Sequence, residues 1–241
     1  MKMNPFVFLV WLPILGLCSC NWSDVSARHR YIALTYDDGP NDPSTTQLLD
    51  ALRERNVPAT FFLVGLNVEA TPATIVRMGR EGHEIGSHTY SHHDLTELTD
   101  SQIETDIVRG VEVIGQVTGT RPKLFRSPYA ESPANLSAIL KKLGLTYVDF
   151  QIVAYDWQAL SAREIAKNVI DKAFPGAIVL MHDGESTHQG FDRATTIEAT
   201  KLIIHDLSQK GYSFVTVSRI VADSQQSGHS MLSGWWSHDP D

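Results

Sequence analysis

Past residue 20 the chain contains no cysteine; its two, Cys18 and Cys20, lie in the first 20 of 241 residues. A disulfide-stapled scaffold is thereby excluded, as is a thiolate-ligated metal site in the body of the chain. Long apolar runs are lacking too. The stretch from Pro5 to Leu17 holds 13 mainly apolar residues, short of the roughly 20 that a spanning helix needs. Positive charge is scarce: 20 Lys and Arg against 28 Asp and Glu give a net charge of −8. That balance argues against a protein whose main task is to grip nucleic acid or an anionic membrane face. No internal repeat or low-complexity tract divides residues 30–222, and the composition excludes collagen-like, coiled-coil and disordered classes. What remains is one sizeable globular domain with ample apolar material for a core.

The apolar stretch follows Lys2 and ends at polar Asn21-Trp22-Ser23-Asp24, which is the layout of an export signal. Leu17-Cys18-Ser19-Cys20 resembles the lipobox of bacterial lipoproteins, in which a cysteine is lipidated. Two outcomes stay open, plain secretion and a lipid anchor at Cys20. Residues 1–20 are therefore expected to be a signal peptide, 21–29 a linker, 30–222 the domain and 223–241 a polar tail. The mature protein is expected to be periplasmic or extracellular, without a transmembrane span, and monomeric.

Seven short runs rich in Val, Ile, Phe, Tyr and Thr read as strands: 31–37, 59–65, 83–88, 123–129, 145–153, 177–182 and 213–218. Between them the periodicity is helical. In 99–118, Ile103, Ile107, Val111 and Ile114 share one face, with Thr99 and Gln102 placed as a capping box. Strands alternating with helices predict a parallel α/β fold. The polar residues are placed unevenly. Asp37 and Asp38 close the first run, His88 and His92 follow the third, and Arg126 lies in the fourth. Asp156-Trp157 follow the fifth, and His182 ends the sixth. In parallel α/β folds, that carboxyl-terminal end is where sites are built.

The residue types suggest hydrolysis. Two imidazoles at i, i+4 can reach one cation, and a neighbouring Asp completes a three-ligand set with an open position for water. Asp37 and Asp38 side by side also repel unless a cation is near. Arg126 on an apolar strand points into the site, where it would hold a carboxylate ionised. His182 is the candidate general acid, with Asp156 to orient and charge it.

At these residues the chain resembles the polysaccharide deacetylases of carbohydrate esterase family 4, whose nodulation-type chitooligosaccharide deacetylase domain would cover roughly residues 30–222. Thr35-Tyr36-Asp37-Asp38-Gly39-Pro40 looks like the family's opening motif, which implies Asp37 as base and Asp38 as metal ligand. His88 and His92 match its two histidine ligands. Phe125-Arg126-Ser127-Pro128-Tyr129 is similar to the third motif, implying that Arg126 tunes the base and that the Tyr129 N–H helps hold the oxyanion. Asp156-Trp157 match the fourth, with Asp156 tuning the acid and Trp157 walling the acetyl pocket. Leu180-Met181-His182-Asp183 matches the fifth and makes His182 the acid. Ser127 and His93 stand where Pro is usual, and Ala130 where Gly is frequent. On this reading Ser127 loosens the groove wall and bears on substrate preference, and His93 faces solvent.

The resemblance implies a distorted, incomplete (β/α)7 TIM-like barrel that binds a divalent metal, zinc in the family's usual arrangement. The implied activity is removal of N-acetyl groups from chitin, peptidoglycan or exopolysaccharide. O-deacetylation of acetylated xylan is the nearest alternative, and a non-catalytic carbohydrate-binding homologue a further one. Residues 30–222 fall short of the roughly 250 of an eight-stranded barrel, in keeping with seven runs.

Overall fold

A computed structural model describes residues 30–226; the expected signal peptide and linker, and the tail beyond 226, lie outside them. Strands and helices alternate as β1 (Tyr31–Asp37), α1 (Ser44–Arg53), β2 (Thr60–Leu63), α2 (Gly65–Ala70), α3 (Pro72–Arg80) and β3 (Glu84–Ser87). They continue as α4 (Asp100–Thr118), β4 (Leu124–Phe125), α5 (Leu136–Leu143), β5 (Thr146–Tyr147) and β6 (Ile152–Val153). The chain then forms α6 (Ala162–Ile170), β7 (Ala177–His182), α7 (Ala194–Gln209), β8 (Ser213–Phe214) and α8 (Val217–Gln226). Among the described residues no helix is long and apolar enough to cross a membrane.

All strand pairs are parallel, in the order β5-β4-β3-β2-β1-β7-β6. β8 pairs only with Tyr31 and Ile32 at the start of β1, below the stretch that β2 takes. The two ends of the order, β5 and β6, do not pair with each other, so the barrel is an open, curled sheet. The long central strands β1 and β7 are buried on both faces because both faces are covered. On β1, Ile32, Leu34 and Tyr36 pack outward with Leu48, Leu52 and Ile203 of the surrounding helices. Ala33 points inward, where it packs with Phe62, Leu124, Val148, Ile178 and with Val217 and Ile220 of α8. α8 thus fills the foot of the barrel. Strand alternation places Thr35 and Asp37 on that same inward face, one and two steps above Ala33.

The expected capping box holds: the Thr99 side chain accepts from the Gln102 amide, the Gln102 side chain returns to the Thr99 amide, and α4 ends on left-handed Gly119. Two strand expectations change. Run 145–153 is two strands, not one, so the sheet has eight; Val148–Phe150 crosses the open seam between them. Run 213–218 is a two-residue strand, since α8 begins at Val217 and continues past residue 222. Arg126 falls just beyond β4 instead of inside it.

Candidate active site

The barrel register sets the site. Asp37 lies opposite His182 across β1 and β7, and Ser87 opposite Phe125 across β3 and β4, so His88 and Arg126 emerge together one step later. Asp37, Asp38, His88, His92, Arg126, Tyr129, Trp157 and His182 line one cavity of about 440 Å3 at the carboxyl-terminal end. Asp156 stands directly behind His182. The structure therefore brings together all nine residues singled out in the sequence.

Asp38, His88 and His92 form the one cluster among the described residues whose donor atoms could share an ion, all within 4.8 Å of one another. Asp38 Oδ1 lies 2.9 Å from His92 Nε2 and 3.5 Å from His88 Nε2. Yet this buried oxygen accepts no well-formed hydrogen bond. Both imidazoles use Nδ1 elsewhere, His88 on the Arg126 carbonyl at 2.9 Å and His92 on the Ser186 hydroxyl at 3.1 Å. An Nδ1–H bonded outward leaves the Nε2 lone pair facing inward. Three lone pairs converging on one buried point fit a divalent cation. Burial pushes the His88 imidazole below its ordinary value, which keeps that lone pair available. Burial alone would raise the Asp38 carboxyl, but the His92 contact and the neighbouring His88 hold it well below the usual range.

Asp37 Oδ1 is gripped by Arg126 Nη1 at 2.8 Å, while Oδ2 faces His88 Nε2 at 4.0 Å. Arg126 is 1% exposed, and a cation so deep must spend every donor. Nη1 also donates to the Thr35 hydroxyl, Nε to the Val148 carbonyl at 3.2 Å, and the guanidinium lies over Phe62. Opposite, His182 Nδ1 donates to Asp156 Oδ1 at 2.9 Å, and the His182 amide holds Oδ2 at 2.8 Å. Burial would lower the His182 pKa, but the Asp156 charge and hydrogen bond lift it to about 9. Trp157 packs edge-on against His182 at 5.2 Å and Tyr129 against His92 at 4.9 Å, both rings exposed at the mouth. His93 lies exposed, as expected, on the Ser91 hydroxyl.

Sequence reasoning missed the loop after β7. The Ser186 amide donates to Asp38 Oδ2 at 2.9 Å while its hydroxyl holds His92, so one residue braces two of the three cluster members. Buried Arg193 clamps the Gly184 carbonyl at 2.8 Å, and Asn67 ties the Ser186 carbonyl to that of Asp38. A Cβ on Gly184 would meet the Asp38 carbonyl oxygen at 2.3 Å, which is why glycine stands there. Asp183, noted only as a motif neighbour, is buried beside the Thr45 hydroxyl; burial and repulsion from Asp38 and Asp37 push its carboxyl up to about 7. Among the described residues eight non-glycine residues have left-handed φ; five of them, Asp38, His92, Tyr129, Ala130 and Ser186, line this cavity, while Thr89 follows His88 and Tyr155 packs on Trp157. Such backbone strain concentrates at working sites.

With that geometry in hand, comparison with known proteins gives the family. The family model described as polysaccharide deacetylase matches residues 24–148. A peptidoglycan-N-acetylglucosamine deacetylase of Bacillus cereus is 36% identical over 196 residues, covering 81% of this chain and 70% of that one. The peptidoglycan-N-acetylglucosamine deacetylase PgdA of Listeria monocytogenes is 33% identical over 200 residues, covering 83% of this chain but only 41% of its own length. Among solved structures, that of the Bc1960 peptidoglycan N-acetylglucosamine deacetylase superposes with a TM-score of 0.75 at 35% identity, covering 80% of this chain and 88% of that one. The chain belongs to the polysaccharide deacetylase family.

Proposed function

We propose that this protein hydrolyses the N-acetyl groups of amino-sugar residues in a cell-wall polysaccharide of the peptidoglycan type, releasing acetate. The observation that carries this reading is the cavity itself. An Asp-His-His donor set lies between an arginine-bound carboxylate on one side and an aspartate-bound imidazole on the other. The named relatives act on peptidoglycan N-acetylglucosamine, which favours that substrate over acetylated xylan.

Asp38, His88 and His92 would hold the divalent ion, and their oxygen and nitrogen donors suit zinc. When bound, such an ion polarises a carbonyl and acidifies a water molecule. Asp37 is assigned as the base: Arg126 fixes Oδ1, which leaves Oδ2 to take the proton of the attacking water. As the new C–O bond forms, the Tyr129 N–H is assigned to receive the oxyanion, a type of contact worth about 3–4 kcal/mol in other hydrolases. His182, held by Asp156 through Nδ1, carries its second proton on Nε2 and delivers it to the amine as the C–N bond breaks. Trp157 and Tyr129 flank the acetyl group. Base and acid must be ionised and protonated at the same pH, and separate partners make that possible.

The same reading takes the apolar amino-terminal stretch as an export signal, with plain secretion and a lipid anchor at Cys20 as its two outcomes, and the mature chain as a monomer working at the cell wall. Acetate release should be assayed on peptidoglycan glycan strands, chitooligosaccharides and acetylated xylan, with and without chelator. Chelator-sensitive release from the N-acetylated glycans is expected, and Asp38→Ala should abolish it. An active, metal-free Asp38→Ala protein, or release from xylan alone, would overturn the assignment.

A further inference from the structure

The opposite end of the barrel carries a feature that deacetylation does not use. A cleft of about 620 Å3 opens beside α3 and α4, under the first residues of β3 and β4. Its floor is apolar, with Ile85, Val117 and Leu124, and its rim holds the exposed side chains of Arg80, Arg121 and Lys123. Glu84, the one carboxylate lining the cleft, is already engaged by the Thr60 hydroxyl and the Ser218 amide at the start of α8. Two further exposed cations belong to this end. Arg219 reaches the Tyr31 hydroxyl next to Ser218, and Arg30 lies over the Tyr212 ring.

The other end is its electrical opposite. The charges of Asp94, Glu97 and Glu185, the last paired with Arg193, act on Tyr129 at the mouth of the site. The net charge of −8 therefore conceals a polarised molecule, and the sequence-level argument against an anionic partner holds for the whole chain but not for this face. The chain also enters here. Arg30 precedes β1 at the foot of the barrel, so the segment carrying the apolar stretch and Cys20 is attached at the cationic end. Nine residues separate Cys20 from Arg30, a reach of at most about 30 Å when extended.

We propose that the cationic foot of the barrel, centred on the cleft rimmed by Arg80, Arg121 and Lys123, is a docking surface for anionic phospholipid headgroups. Docked this way, the molecule turns its acidic mouth outward, toward a polymer lying beyond the membrane. This does not depend on the chemistry assigned to the mouth. Each Lys or Arg close to an anionic bilayer contributes about fivefold in affinity, so the three rim cations together contribute about a hundredfold. The attraction is screened over roughly 10 Å at ordinary salt.

Flotation of the full chain on phosphatidylcholine vesicles, with and without about 30 mol % phosphatidylglycerol, tests it. Phosphatidylglycerol should raise partitioning of the wild type by up to about a hundredfold at low salt, and about 0.5 M salt should remove the gain. The Arg80→Glu/Arg121→Glu/Lys123→Glu variant should lose any preference for the phosphatidylglycerol vesicles, keep the wild-type level on neutral lipid, and should still deacetylate a soluble chitooligosaccharide. Should that variant misfold, the Gln versions of the same three changes should lose the preference in the same direction. The proposal fails if the wild type does not prefer the phosphatidylglycerol vesicles or if the folded variants prefer them as strongly as the wild type. It also fails if soluble poly(glycerol phosphate) displaces the wild type from the vesicles while anionic lipid adds nothing, since the partner would then be a wall polymer.

Discussion

His182 is held protonated near neutral pH because Asp156 outweighs burial, lifting its pKa to about 9. The Asp38 charge adds to the lift, and a cation on Asp38 would cancel that share. The alkaline limb of kcat in the loaded enzyme is therefore expected at or somewhat below about 9, with activity lost as pH rises through it. Asp156→Asn removes the charge, so the limb should move down by at least one unit and kcat fall by about 10²–10⁴-fold. A kcat–pH profile in which the limb stays put would remove His182 from the role of acid. The sign for stability is the same. The ion pair stabilises the fold fully below the unfolded value near 6.5 and progressively less as pH climbs through about 9.

Ser127 gives a second prediction at this scale. Its hydroxyl is buried without a partner, and its backbone, at φ −80° and ψ 138°, already suits proline. The side chain is buried, yet Ser127 is part of the cavity lining. Ser127→Pro removes an unsatisfied hydroxyl and restricts the unfolded chain. It should stabilise by about 1 kcal/mol, read from the denaturation midpoint. Residues such as Asp37, Arg126 and His182 were legible in the sequence because a charged group at the end of an apolar run demands a reason. Ser186 and Arg193 were not, because a small hydroxyl and a loop arginine acquire their meaning only from where the chain folds back.

Among the elements, the loop after β7 braces the Asp38–His88–His92 set most visibly. It approaches Asp38 so closely that only glycine fits at 184, and it presents Ser186 to both Asp38 and His92. Ser186→Ala keeps the backbone contact and loses the hydroxyl on His92. Metal affinity should fall by about 10-fold or somewhat more, measured by competition with a chelating dye, with little change in the apo melting temperature. Unchanged affinity would show that the hydroxyl does not orient the imidazole. Ala130, standing where glycine is frequent in the family, sits at φ 59°, so the departure identified in the sequence is paid for in backbone strain. Strand identity was legible from β-branched content, but the break inside 145–153 was not. Val148 and Phe150 look like strand residues, and the chain leaves the sheet there because β5 and β6 pair with opposite ends of it.

For the whole molecule, a bound ion stabilises only the folded state, because the three donors come from the turn after β1 and the β3–α4 loop and meet only when the barrel is assembled. At a hundredfold excess over its dissociation constant an ion adds about 2.7 kcal/mol, or roughly 5–10 °C in melting temperature for a domain of this size. Calorimetry should show that rise with zinc and its absence in Asp38→Ala. The fold class was legible because alternation of strand and helix, with carboxylates and imidazoles at one end, has few solutions. The polarity between the two ends was not, since a net charge sums over faces that only the folded chain separates.

The open seam between β5 and β6 has a consequence for how such a protein can change over time. Arg126 holds the crossing segment through the Val148 carbonyl, and Asp37 is the one carboxylate that neutralises it. Removing Asp37 would strand a buried guanidinium in the barrel wall, a loss of about 3–5 kcal/mol for a broken buried pair. A lineage that ceased to need hydrolysis would shed Asp38 before Asp37 or His182, each of which is half of a buried ion pair. An inactive descendant should therefore be recognisable by an intact Asp37 beside a ruined Asp38–His88–His92 set.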